Sequence, residues 1–239
     1  MSKSQIKRRV ALFGIAANAI ALPIAINASN RNGDSSPVTK QDFVDFFEAK
    51  KRGDIDVMFI PRNSKSANVI VRNKTNKGMK VRMPEAFAGV PMLGQMGGMG
   101  MGGGGMGGFQ NIEPGKVRKF KVTTVCLEHG KKEPNPRVKY DIIPIESFTK
   151  KPEVIELCRM LGSGQLNQSA AQAAAWHFTD DLTWIELVNK IGARHLNGTV
   201  DRFFHPNTVR LGMRYAQVAA QRAKLRPSQV DKIESLSNQ

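Results

Sequence analysis

The chain has 239 residues, 41% of them hydrophobic, so it can bury a conventional core without disulfides or metal ions. Its formal net charge is +16 at pH 7, which favours anionic partners such as acidic polysaccharides or phosphate-bearing polymers. The basic residues are spread along the whole chain and aromatic residues make up only 7% of it, a pattern that argues against specific nucleic-acid binding.

The first residues have the three parts of a secretory signal. Basic residues at positions 3 and 7–9 precede an apolar stretch over 10–21, and the small-residue end Ile26-Asn27-Ala28 follows. This pattern predicts a signal peptide over residues 1–28, cut after Ala28, and an exported protein in the periplasm, at the cell surface or outside the cell. An uncleaved anchor is the alternative. The apolar stretch is shorter than the about 20 residues of a membrane span, and no later segment approaches that length, so no span is expected after cleavage.

Residues 29–53 are predicted to form a polar leader and a short amphipathic helix, capped by Thr39 and ended by Gly53. From residue 54 the apolar pattern changes to a period of two, with strands predicted at 55–60, 67–72, 79–83, 116–127 and 139–145. Short strands joined by Asn, Gly and Pro turns predict an immunoglobulin-like antiparallel β-sandwich over residues 54–147. With the helices that follow it, the fold class is α+β.

A stretch of glycine and methionine, residues 94–108, interrupts the predicted strands. It has no aliphatic periodicity, so we expect a disordered insertion that acts as a spacer and is dispensable for folding. The alternative is a soft-metal site for Cu(I), because thioether sulfur is a ligand that Cu(I) prefers. Its ligands would be Met96, Met99, Met101 and Met106.

Residues 148–192 are predicted to form a helical subdomain of three short helices. Pro152 opens the first helix, and Asn167 caps the second, which runs to about Phe178. Thr183 and Glu186 form a capping box that begins the third helix, which ends at Gly192. Residues 193–239 form a basic tail with a helix predicted near 208–224.

Two cysteines, Cys126 and Cys158, lie in the exported part of the chain. An oxidising compartment permits a disulfide between them, which would stabilise the fold by about 3 to 4 kcal/mol. Cys126 and His129 also form half of a zinc-binding spacing, but the second half is missing. A Cys/His protease would need His129 or His177 beside Cys126, and no family signature surrounds the cysteine. No cofactor is implied.

Two short motifs resemble those of the internal thioester domains in bacterial surface adhesins. The run Ala171-Gln172-Ala173-Ala174-Ala175-Trp176 is similar to their Thr-Gln-x-Ala-apolar-Trp motif, with Ala171 in the place of the threonine. Val125-Cys126-Leu127-Glu128 resembles their strand-borne cysteine followed by an acidic residue. The resemblance implies a β-sandwich joined to a helical part, with Cys126 as the thioester sulfur, Gln172 as the acyl donor and Trp176 as a packing neighbour. The chain as a whole also resembles small exported bacterial proteins of unknown function, which adds no activity.

The thioester hypothesis requires that Cys126 and Gln172 meet where the strands and the helical layer join. An alanine-rich helix can approach the end of a strand closely enough for this contact. Glu128 or His129 could then transfer the proton. The alternative role for Gln172 is structural, as an amide hydrogen-bonded to the end of a strand.

Two functions follow as expectations. The first is a non-enzymatic, exported binding or structural module that contacts an anionic component of the envelope or matrix, either protein or polysaccharide. The second is an adhesin-like domain that attaches covalently to surface amines or hydroxyls through the Cys126–Gln172 thioester.

Overall fold

A computed structural model describes residues 43–92 and 100–237, with side chains as far as residue 226. The predicted signal peptide, the leader and the cap at Thr39 lie outside the described residues. In chain order the elements are β1 (Phe43–Asp45), α1 (Phe46–Arg52), β2 (Ile55–Asn63), β3 (Ser66–Asn73), β4 (Met79–Arg82), β5 (Ala86–Pro91), β6 (Met101–Gly104), β7 (Phe109–Ile112), β8 (Val117–Cys126), β9 (Tyr140–Pro144), α2 (Ile145–Phe148), α3 (Pro152–Gly162), α4 (Gln168–Thr179), α5 (Trp184–Asn189), β10 (Ile191–Arg194), β11 (Val200–Arg202) and α6 (Pro206–Ser237).

Six strands form a closed barrel in the order β2-β3-β8-β6-β5-β9, and all of its neighbours are antiparallel. The prediction of an immunoglobulin-like sandwich is therefore wrong, because the strands form one closed ring rather than two packed sheets. The ring closes where Phe59 of β2 pairs with Tyr140 of β9. Alternating residues such as Val69 and Val71 of β3 point inward and fill the barrel with an apolar core.

The glycine-rich strand β6 completes the barrel by pairing with β5 on one side and β8 on the other. The prediction of a disordered insertion over 94–108 is wrong for residues 101–104, because these residues form a strand and Met101 is fully buried. Glycine is needed here because helix α3 crosses the strand at very short range. A Cβ built on Gly102 would lie 2.6 Å from the Cys158 sulfur, and one on Gly104 would lie 2.2 Å from the backbone nitrogen of Gly162.

A separate three-stranded sheet, in the order β1-β4-β7, stands beside the barrel, with β1 parallel to β4. Helix α1 begins between β1 and β2. Its cap is Asp45, whose carboxylate accepts the backbone N–H groups of Phe47 and Glu48. The helix ends at Gly53, as predicted, with a left-handed φ of 77° that suits glycine. The prediction that it already includes residues 43–45 is wrong, because these residues form β1.

Three helices, α3, α4 and α6, pack on one another, and α3 and α4 also contact the barrel. Asn167 caps α4 by accepting the backbone N–H of Ala170, and Thr183 and Glu186 form the predicted capping box of α5. Helix α5 ends at Asn189 rather than at Gly192, because residues 191–194 pair with β11 in an exposed hairpin. The helices thus cover one side of the barrel with a layer centred on α4.

The predicted disulfide between Cys126 and Cys158 is wrong. Both residues are buried with free thiols, and they are not within disulfide distance. Cys158 lies on α3 and faces the glycine strand β6, whereas Cys126 ends β8 and packs with Trp176 and Leu187 in a different apolar cluster. The two sulfurs are therefore held apart by the packing of separate elements.

Candidate functional site

A cleft of about 380 Å³ opens where the end of β8 meets helix α4. Cys126 and Gln172 lie at its floor, and Trp176 and Phe203 supply apolar surface beside them. The rim also carries charges of both signs, contributed by Lys65, Lys131, Glu133 and Lys190, and the imidazole of His129 lies among them. The cleft therefore combines a buried thiol and amide with a charged rim.

Gln172 is bonded to Cys126 through both of its carboxamide atoms. The Cys126 backbone N–H donates to Oε1 at 2.8 Å, and Nε2 donates to the Cys126 carbonyl oxygen at 2.9 Å. Residues 170–176 of α4 are all buried, and five of them are alanines, so the helix axis can approach the strand end closely enough for this pairing. The carboxamide plane is thereby fixed beside the residue that carries the thiol.

The Cys126 sulfur receives two N–H groups. Trp176 Nε1 and the Glu128 backbone nitrogen each donate to Sγ at 3.3 Å, and the thiol donates to the Glu128 carbonyl oxygen at 3.1 Å. Burial raises the pKa of the thiol to about 11, and the bonds from Trp176 and to Glu128 offset part of that rise. Cys126 is consequently a protonated thiol at neutral pH, with donors already directed at the sulfur.

His129 stands at the cleft wall against the indole of Trp176, with the ring centroids 4.8 Å apart and nearly perpendicular. Its backbone N–H donates to Oδ1 of Asp180 at 2.9 Å, which fixes the start of the loop after β8. Lys190 Nζ lies 2.7 Å from Nε2 of the imidazole and above the rings of Trp176 and Phe203, at 5.4 and 5.6 Å. Loss of solvent, followed by the charge of Lys190, lowers the pKa of His129, and Asp180 opposes the shift.

The carboxylate of Glu128 is turned away from the sulfur. Its Oε2 accepts the backbone N–H of Gly100 at 2.5 Å, and its Oε1 accepts Lys131 Nζ at 2.6 Å. Glu128 therefore contacts Cys126 through its backbone. His177, the other histidine considered from the sequence, bonds to the Leu182 carbonyl oxygen through Nδ1 and stacks on Trp184.

Among the residues that the structure describes, the methionines considered for Cu(I) do not come together at the surface. Met101 is fully buried in the barrel core, and Met106 is half-buried against the same core. Met96 and Met99 lie outside the described residues. Within residues 43–92 and 100–237, no three His, Cys, Asp or Glu side chains are grouped so that they could hold a metal ion.

Sequence reasoning missed Lys190 and Phe203, which complete the wall of the cleft. Lys190 lies between α5 and the hairpin, and no local motif marks it. None of the helices in the part of the chain that the structure describes has the length and apolar character of a membrane span. Comparison with protein-family models, with curated proteins and with solved structures finds no match to this chain.

Proposed function

We propose that this protein is a covalent-attachment module in which Cys126 and Gln172 form an internal thioester. The observation that carries the proposal is the double hydrogen bond between the Gln172 carboxamide and the Cys126 backbone, at 2.8 and 2.9 Å. These bonds hold the carboxamide beside the residue that carries the thiol, and holding two reactants together lowers the entropic part of the barrier to their reaction. The resemblance of the two motifs to thioester domains supports the same assignment.

Thioester formation begins with the sulfur of Cys126 attacking Cδ of Gln172. The Sγ–Cδ bond forms, the Cδ–Nε2 bond breaks, and ammonia leaves with the proton of the thiol. A nucleophile on a partner molecule, an amine or a hydroxyl, can later attack the same carbon. The Cδ–Sγ bond then breaks, the partner is joined to Gln172, and Cys126 returns to a thiol.

Two N–H donors at Sγ offset part of the cost that burial places on the departing sulfur. Negative charge develops on the sulfur when the thioester opens, and N–H donors already directed at that atom stabilise the charge without rearranging. Trp176 Nε1 and the Glu128 backbone nitrogen are such donors, each at 3.3 Å. The burial of Cys126 also limits access of water to the thioester. Each chain reacts once, so the module is not an enzyme.

The proposal is tested by methylamine treatment followed by unfolding and alkylation. Before treatment, alkylation of the unfolded protein should label Cys158 and not Cys126. After treatment, Cys126 should become alkylated and Gln172 should carry the methylamide. The matched controls are Cys126→Ala, which should take up no methylamine, and Cys158→Ala, which should behave as the parent does. Alkylation of both cysteines in the unfolded, untreated protein would rule out the thioester.

Non-covalent binding of an anionic envelope or matrix component, protein or polysaccharide, is the second candidate function. It is favoured by three exposed cations on strand β8: Arg118, Lys119 and Lys121. The formal net charge of +16 and the N-terminal export pattern agree with a partner of this kind. Retention on an anionic polymer should fall steeply as salt is raised. Retention that does not change between low and high salt would exclude this binding mode.

A further inference from the structure

A lysine and a histidine from distant parts of the chain meet at the wall of the cleft. Nζ of Lys190 lies 2.7 Å from Nε2 of His129, so Nε2 is the acceptor and the neutral imidazole carries its hydrogen on Nδ1. The Lys190 ammonium is held above the rings of Trp176 and Phe203. Trp176 is also the residue whose indole N–H reaches the Cys126 sulfur, at 3.3 Å. One aromatic side chain therefore contacts the thiol, the imidazole and the ammonium.

Several charged groups face the cleft in which the imidazole lies. Asp180, at the end of α4, accepts the His129 backbone N–H, and Lys190 follows α5. Lys65, Lys131 and Glu133 line the same cleft. Loss of solvent lowers the pKa of His129 most, and Lys190 lowers it further. The imidazole is therefore a free base at neutral pH, as a proton acceptor must be.

We propose that His129 accepts the proton of the nucleophile that opens the Cys126–Gln172 thioester, and that Lys190 holds Nε2 of the imidazole in the resting protein until the nucleophile takes its place. This inference rests on the proposed function. The nucleophile replaces Lys190 at Nε2 and forms a bond to Cδ of Gln172, and its proton passes to Nε2. The Cδ–Sγ bond breaks, the sulfur keeps the electron pair, and His129 returns the proton to it. The indole N–H of Trp176 stays directed at the sulfur throughout.

The test measures the rate constant of thioester opening by methoxyamine between pH 5 and 8, expressed per neutral amine and followed by release of the Cys126 thiol. In the parent protein the rate constant should rise with pH to a plateau, because the neutral imidazole is the reactive form. The midpoint should lie below the ordinary histidine pKa of about 6.5, in the direction set by burial and Lys190.

His129→Gln should lower the plateau by roughly 100-fold or more and remove the rise with pH. Lys190→Gln should move the midpoint to higher pH, because it removes a positive charge from beside the imidazole. His177→Gln is the matched control, since this histidine is bonded to Leu182 and should leave the profile unchanged. Free imidazole should restore part of the rate to His129→Ala, which separates proton transfer from a folding defect.

The intact mass distinguishes this inference from the proposed function. If the parent protein has the full mass calculated from its sequence, it has no thioester, and both the proposed function and this inference are overturned. A His129→Gln protein that has lost ammonia and opens at the parental rate with the parental pH profile overturns only the role of His129. A midpoint unchanged in Lys190→Gln overturns the role of Lys190.

Discussion

Replacing Gly104 by alanine is expected to lower the free energy of unfolding by about 3 kcal/mol or more, although only one methyl group is added. A Cβ at this position would lie 2.2 Å from the backbone nitrogen of Gly162 and 2.4 Å from its Cα. Both atoms belong to backbone, so no side chain can rotate to make room. Either α3 must move away from the barrel, or β6 must lose its place between β5 and β8.

Gly78→Ala is the matched control for this substitution. Its new methyl group would meet only the flexible carboxylate of Glu113, at 3.6 Å. Chemical denaturation of the two variants beside the parent protein provides the comparison. If Gly104→Ala unfolds at the same denaturant concentration as Gly78→Ala, the close crossing of α3 over β6 does not exist in solution.

Replacing Gln172 by leucine should destabilise the protein by roughly 2 to 5 kcal/mol, because two buried backbone groups lose their partners. The Cys126 N–H and carbonyl oxygen are both bonded to the Gln172 carboxamide, which is only 5% exposed. The comparison is best made in Cys126→Ala protein, where the backbone groups remain and no thioester can form. The measured loss then contains no contribution from the thioester.

Gln168→Leu in the same Cys126→Ala protein is the control. Gln168 lies one turn earlier on α4. Its Nε2 donates a single hydrogen bond, 3.0 Å long, to the carbonyl oxygen of Thr124, and this contact is partly buried. Its loss should cost about 1 kcal/mol. If the two substitutions lower the free energy of unfolding equally, the paired hydrogen bonds of Gln172 stabilise the junction between the barrel and α4 no more than the single bond of Gln168 does.

Sequence reasoning identified the residues of the candidate site more fully than the fold that positions them. Asn167 marks the start of α4, and the alanines after it predict a helix that can approach another element closely. Within that helix Gln172 and Trp176 share a face, one turn apart. Cys126 lies near the end of the long strand predicted over 116–127, and it is the last residue of β8. Local periodicity therefore predicts the helix face that carries Gln172 and Trp176, whereas the choice of Cys126 as the partner of Gln172 rests on the resemblance of the two short motifs.

The closed barrel could not be predicted because two of its six strands, β5 and β6, lie outside the predicted strands, and β6 carries no strand signal. Residues 102–104 of β6 are glycines, so the alternation that marks a strand is absent. The reason for glycine lies in α3, more than fifty residues later in the chain, which crosses the strand at Gly104. Lys190 was missed for a similar reason, since its partner His129 is 61 residues away in the sequence.

The intact mass of the folded, purified protein tests the central proposal most directly. Formation of the Cys126–Gln172 thioester expels one ammonia, so the parent protein should weigh one ammonia less than the mass calculated from its sequence. This deficit should be absent from Cys126→Ala and from Gln172→Leu. Cys158→Ala should retain it, because Cys158 lies in a separate cluster on α3. A parent protein with its full sequence mass would contradict the thioester and leave Gln172 as a structural amide at the end of β8.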